Sequence, residues 1–145
     1  MASVVDDLKR VPLFSGLNQR QLRRLARSSK ERDYRPGTSV VRQGHMSGVG
    51  FFIIIDGEAA VNVDGADVAT LGPGDYFGEL TLISKQVRTA TVRAVSPLRC
   101  LVIMFWDFRE FAKRNPEVLW KLLEHVVGLL AAERSLRARA SLPAS

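Results

Sequence analysis

The run "FFIIIDGEAAVNVDGADVATLGPG", Phe51 to Gly74, holds two Asp-Gly pairs, each set between short apolar or alternating segments. Asp-Gly readily takes the positive φ values of a tight turn, so each pair reads as a hairpin signal. Similar β-prone runs lie on both sides: "TSVVRQG" at 38–44, "TATVRAV" at 89–95 and "RCLVIMF" at 99–105. Pro36-Gly37 and Gly72-Pro73-Gly74 add further breaks. Short strands at this spacing, with no long helix between them, predict an antiparallel sandwich or barrel from Tyr34 to Phe105.

Helices are expected at both ends. In "FSGLNQRQLRRLA" Asn18 is a good N-cap and Gln21 completes a capping box, with Leu17 and Leu22 as a hydrophobic staple. A helix from Asn18 to about Ser29 would turn Leu22, Leu25 and Ala26 inward. Beyond the strands, Asp107 and Glu110 resemble a capping box opening a short helix over "DFREFAKR". Asn115-Pro116 stops it and starts another, with Pro116 at the first helical position. Leu119, Leu122, Leu123, Val126 and Leu130 then form one stripe, and Gly128 suggests a bend or a close contact. The expected layout is one domain over 1–145: helical to residue 33, strands over 34–105, helices over 106–140, and a tail at 141–145.

Composition sets limits. The chain has 145 residues, 46% hydrophobic and 25% charged, an ordinary balance for one core. The longest apolar runs, Phe51–Ile55 and Cys100–Trp106, are far short of the ~20 residues that span a bilayer. No secretory signal core is visible in "MASVVDDLKR". The lone cysteine, Cys100, excludes an internal disulfide and reads as a small buried hydrophobe, so a reducing, cytoplasmic setting is expected. The net charge of +6 comes mostly from two helical segments, "RQLRRLARSSKER" and "ERSLRARA". A solvated helix face explains that, with nucleic acid as the other reading. Two scattered histidines, His45 and His125, give no metal-ligand spacing and no catalytic constellation. The protein is therefore expected not to be an enzyme.

The chemistry concentrates in "LGPGDYFGELTLISKQVRTATVRAV", Leu71 to Val95. Gly78 lets a backbone N–H approach a ligand closely. If Glu79 begins a helical turn, the free N–H groups behind it form an anion site. A carboxylate there would repel an anion unless it grips another part of the same ligand, such as a sugar hydroxyl. Arg88, nine residues on, matches phosphate through paired hydrogen bonds. Thr89 offers a hydroxyl and Ala90 an unobstructed N–H. A ribose cyclic phosphate meets these demands. The glycine spacing of "GPGDYFG" is not G-x-G-x-x-G, and no phosphate loop ends in Gly-Lys-Ser or Gly-Lys-Thr.

On these residues the segment "FGELTLISKQVRTATV" resembles the phosphate-binding cassette of cyclic nucleotide-binding domains. That family includes the catabolite activator protein, the regulatory subunits of cyclic-AMP-dependent kinase and cyclic-nucleotide-gated channels. "VPLFSGLNQRQLRRLA", "RPGTSVVRQG", "FFIIIDGEAAV" and "FREFAKRNPEVLWKLL" are similar to its N-terminal helical segment, early strands, and hinge and C-terminal helices. The resemblance implies a mainly β fold: an antiparallel β-roll of jelly-roll type with an N-terminal helix and C-terminal hinge and lid helices.

It also implies roles. Glu79 accepts the ribose 2′-hydroxyl and Arg88 pairs with the exocyclic phosphate oxygens. Gly78, Leu80 and Thr81 contact ligand through backbone, and Thr89 and Ala90 close on the phosphate. Phe77 and Leu82 are expected in the core. Arg134 or Arg137 would be a base contact from the last helix. The implied ligand is cyclic AMP in preference to cyclic GMP, on family frequency alone. The C-terminal helix is the implied route to a homodimer, and an effector protein or domain the implied partner. The 145 residues hold no helix-turn-helix module, which makes DNA the weaker reading beside a regulatory module of a larger enzyme or channel.

Overall fold

The computed structural model describes residues 3–44, 50–78 and 90–140, leaving out the side chains of 105 and 133–140. Among the described residues eight strands form two four-stranded antiparallel sheets. They are β1 (Ser29–Tyr34), β2 (Ser39–Val41), β3 (Gly50–Asp56), β4 (Ala59–Val63), β5 (Ala66–Leu71), β6 (Tyr76–Phe77), β7 (Thr91–Ala94) and β8 (Leu98–Met104). One sheet has the order β1-β8-β3-β6 and the other β2-β7-β4-β5. Helix α1 (Val4–Lys9), a 3-10 turn (Pro12–Phe14) and α2 (Gln19–Ser28) precede the strands; α3 (Phe105–Arg114) and α4 (Pro116–Ala140) follow.

The two Asp-Gly pairs do different things. Asp64-Gly65 closes the β4–β5 hairpin, with Val63 opposite Ala66 and φ of 53° and 86° at the two turn residues. Asp56-Gly57, expected to close a hairpin, instead carries the chain from one sheet to the other. Its turn lies against the β7–β8 connection, where the Glu58 N–H donates to Ser96 Oγ and the Val95 N–H to the Glu58 carbonyl. Gly57 has φ of +89°, and a Cβ there would stand 2.1 Å from the Pro97 carbonyl oxygen. An apolar run on each side of Asp-Gly cannot distinguish these outcomes, because β3 finds its partners far away in sequence, in β8 and β6.

All of strand β1 except Tyr34 lies outside the expected strand region, in the segment up to residue 33 that is expected to be helical. "SKERDY" has no apolar alternation, yet all six residues pair with β8. As an edge strand it keeps charged side chains in solvent, and Glu31 pairs with Arg99 at 2.6 Å.

Strands β3 and β8 are central and covered on both faces, which is why they read as continuous apolar runs. Phe52, Ile54, Leu98 and Cys100 point between the sheets with Val41, Ala59, Phe77, Val92 and Ala94. Phe51, Ile53, Leu101 and Ile103 face the helices, where Leu8, Phe14, Leu22, Leu25, Phe108, Phe111, Val118 and Leu122 complete a second core. One strand pair thus joins the roll interior to the helical layer.

Asn18 caps α2 as expected: its side chain accepts from the Gln21 N–H at 2.9 Å, and Gln21 Oε1 accepts from the Asn18 N–H at 2.8 Å. Helix α3 departs from expectation. It starts at Phe105 with Met104 as N-cap and no side-chain cap, so Asp107 sits inside the first turn and forms no capping box with Glu110. In α4 the buried stripe is Val118, Leu122 and Val126, whereas Leu119, Leu123 and Leu130 are each 48% exposed. The expected stripe therefore merges two adjacent faces of the helix. At Gly128 the helix continues without interruption, and among the described residues nothing lies within 4 Å of where a Cβ would be, so the expected close contact is not there.

Candidate functional site

The candidate site is the stretch between β6 and β7, and the two strands that bound it belong to different sheets. The described residues give its entry and exit. Glu79, Leu80, Thr81, Arg88 and Thr89 lie outside them, as do Leu82 and His45; the side chains of Arg134 and Arg137 do too.

The entry is anchored on β3. The Gly74 N–H donates to the Ile54 carbonyl at 2.8 Å, and the Ile54 N–H to the Asp75 carbonyl at 2.9 Å. Asp75 also ties the turn to itself, its Oδ2 accepting from the Gly72 N–H at 2.8 Å. Phe77 stacks on Phe52 with ring centroids 4.8 Å apart and planes 2° from parallel, a core role as expected. Gly78 then leaves β6 with φ of +90°. A side chain at that φ costs ~1–2 kcal/mol, so glycine there frees the backbone just before Glu79.

The exit is held by sheet partners. Ala90 is half-buried and leads directly into β7, whose Thr91 and Val92 pair with Asn62 and Val61 of β4. Thr91 Oγ1 accepts from the Gln43 N–H at 2.9 Å. The Gln43 side chain in turn bonds Asp64 twice: Nε2 to Oδ1 at 2.8 Å, and Oε1 from the Asp64 N–H at 2.9 Å. The structure thus fixes Gly78 and Ala90, the first and last residues of the expected ligand set.

The entry strand also touches the helical layer. Phe108 of α3 meets Phe51 at 4.9 Å, Phe51 meets Tyr76 at 5.4 Å, and Tyr76 meets His125 of α4 at 4.7 Å. Tyr76 lies two residues before Gly78. Neither Tyr76 nor His125 stands out in the sequence, because their meeting depends on where α4 docks. The corner between α3 and α4 is tied back to α2. Asn115, 7% exposed, donates from Nδ2 to the Phe111 carbonyl at 2.9 Å and accepts from Gln21 Nε2 at 2.6 Å.

Cys100 sits inside the roll, fully buried, and burial followed by the nearby Asp33 carboxylate pushes its thiol up to about 12. At neutral pH it is protonated and packs as an apolar group. Among the described residues no cluster of three or more His, Cys, Asp or Glu could hold a metal ion. No helix among them is long and apolar enough to cross a membrane.

Residues 31–115 match the family model described as the cyclic nucleotide-binding domain. The cAMP-dependent protein kinase regulatory subunit of Schizosaccharomyces pombe is 44% identical over 93 residues, covering 63% of this chain and 22% of that protein. The cyclic nucleotide-gated potassium channel mll3241 of Mesorhizobium japonicum is 33% identical over 108 residues, covering 74% of this chain and 30% of that protein. The regulatory domain of Toxoplasma gondii PKA, solved with cAMP, superposes with a TM-score of 0.73 at 25% identity, over 90% of this chain and 49% of that one. The chain spans less than a third of the length of these two curated relatives.

Proposed function

The chain belongs to the cyclic nucleotide-binding domain family, and on that premise we propose that it is a non-catalytic sensor which takes a cyclic nucleotide between β6 and β7 and repositions α3 and α4 in response. The observation that supports the reading is the match of residues 31–115 to the family model, within which Gly78, at φ +90°, and Ala90, just before β7, adjoin strands of separate sheets. In this reading Glu79 accepts the ribose 2′-hydroxyl and Arg88 grips the exocyclic phosphate oxygens. The amides of Gly78, Leu80, Thr81 and Ala90 and the Thr89 hydroxyl complete the clamp. Cyclic AMP is the proposed ligand ahead of cyclic GMP; the T. gondii structure holds cAMP.

Calorimetric titration with both nucleotides, on the native chain and on Arg88→Ala, tests this. A charge-assisted contact contributes about 1.5–3 kcal/mol, so Arg88→Ala should weaken binding by about tenfold to hundredfold. Equal heats for the two proteins would remove the assigned pocket, and tighter cyclic GMP binding would reverse the ligand preference.

Finer points belong to the same proposal. The exposed Leu119, Leu123, Val127 and Leu130 follow one another at helical spacing on α4, a surface suited to pairing with a second copy. Sedimentation of the native chain and Leu123→Glu would show a dimer lost in the variant. The proposed setting is the cytoplasm, and the proposed role a regulatory module acting on an effector, since the matched relatives are far longer than this chain. Arg134 as a base contact is tested by the same calorimetry on Arg134→Ala, and DNA binding remains the weaker alternative.

A further inference from the structure

Between Asp7 and Glu31 the chain has no acidic residue. Within that interval α2 exposes Arg20, Arg23, Arg24 and Arg27, spaced three and four apart along about 10 Å of helix. Such like-charge neighbours destabilise a helix. Among the described residues none of the four has an acidic partner: the ion pairs there involve Arg10, Arg93, Arg99 and Lys113 instead. The inner edge of this stripe lines a cleft of about 440 Å³ between α2 and α3. Arg24, Arg27 and Arg114 supply its cations, Asp107 and Glu110 its carboxylates, and Phe111, 4% exposed, an apolar floor.

We propose that the α2–α3 cleft is a docking site for an acidic segment of a partner protein. The distribution of charge selects that class. On the α2 wall, Arg24, Arg27 and Ser28, every charge is positive, whereas the α3 wall carries two carboxylates beside Arg114. A polyphosphate backbone or an anionic lipid surface presents one sign of charge throughout, and would meet Asp107 and Glu110 with repulsion. A peptide can present carboxylates to α2, an amine to the α3 carboxylates and an apolar side chain to Phe111. Electrostatic complementarity of this kind gives specificity and fast association. None of its lining residues belongs to the set assigned to the nucleotide, and because one wall is α3 the test is run without nucleotide.

Fluorescence anisotropy with the full chain tests the proposal. The probe is a labelled helical peptide with glutamates along one edge, a lysine on the opposite edge and a leucine between them. Comparators are its charge-reversed counterpart, a duplex DNA oligonucleotide and phosphatidylserine vesicles. The acidic peptide should bind best, and the double variant Arg24→Gln, Arg27→Gln should weaken it about tenfold. That variant should melt no lower than the native chain, because it removes like charges from an exposed helix. The double variant Asp107→Asn, Glu110→Gln provides a second arm, expected to weaken the peptide while leaving DNA binding unchanged or stronger. Tighter binding of DNA or vesicles than of the peptide would overturn the proposal. So would undiminished peptide binding in both double variants.

Discussion

Cys100 and Gly57 show how much one position can carry. Burial holds the Cys100 thiol at about 12 against an ordinary value of 9.0, and burial also raises the half-exposed Tyr34 phenol beside it. In the unfolded chain both groups ionise earlier. The folded state gains most below the unfolded values and loses that advantage as pH climbs toward the folded ones. Stability should therefore fall between about pH 9 and pH 12, by at most about 1.4 kcal/mol per pH unit for each group that ionises only in the unfolded chain. Cys100→Ala should flatten the alkaline limb of a pH series of denaturation midpoints, at the cost of some packing at neutral pH. An unchanged limb would mean that the thiol ionises in the fold as readily as outside it. At Gly57 the expectation is harsher. Gly57→Ala combines φ of +89° with a Cβ 2.1 Å from a backbone carbonyl, so the sheet-switching turn must shift. A loss of more than about 2 kcal/mol in chemical denaturation is expected, against about 1–2 kcal/mol for Gly65→Ala, whose φ of +86° strains a side chain although the space around it is open.

At the scale of elements, legibility follows where the physical signal lives. The α2 cap, the Pro116 helix start and the Asp64-Gly65 hairpin are readable because each is a local arrangement whose residues recognise one another across three or four positions. Strand β1 is not, because its pairing energy comes from β8, distant in sequence, and its own side chains are solvated. The start of α3 differs from expectation for a related reason: β8 runs straight into the helix, so Met104 ends a strand and caps a helix at once. The proposed ligand set rests on a sequence motif, and the described residues show only its first and last members, Gly78 and Ala90. Helix α4 carries the clearest test of its own reading. Leu122→Ala removes a buried side chain and should cost about 2–5 kcal/mol, whereas Leu119→Ala, half-exposed, should cost far less in the monomer. Gly128→Ala should stabilise by up to about 1 kcal/mol, because the position is helical, exposed and open. A rise of about 2–4 °C in Tm would bear that out, and a fall would mean that something outside this chain needs the space.

Across the whole molecule, two cores share one strand pair, and the entry to the candidate site lies at their junction. The rings of Phe108, Phe51, Tyr76 and His125 run in unbroken contact from α3 through β3 and β6 to α4. A ligand that alters the path of the chain after Gly78 acts on the strand bearing Tyr76, and hence on the face that receives His125. It can shift the helices only through contacts that differ between their positions. If these rings carry that difference, Tyr76 and His125 are coupled in ligand affinity as well as in stability. Cyclic AMP dissociation constants for the native chain, Tyr76→Leu, His125→Ala and the double variant form a cycle. The effects should depart from additivity by about 0.5 kcal/mol or more, at least about twofold in affinity. Hydrogen exchange gives the complementary readout: ligand should alter amide protection in residues 116–126 of the native chain, and His125→Ala should reduce that response while leaving protection in β7 intact. Strict additivity, with an undiminished response in α4, would assign the coupling to another route, of which the Gln21–Asn115 bond at the α3–α4 corner is the next to test.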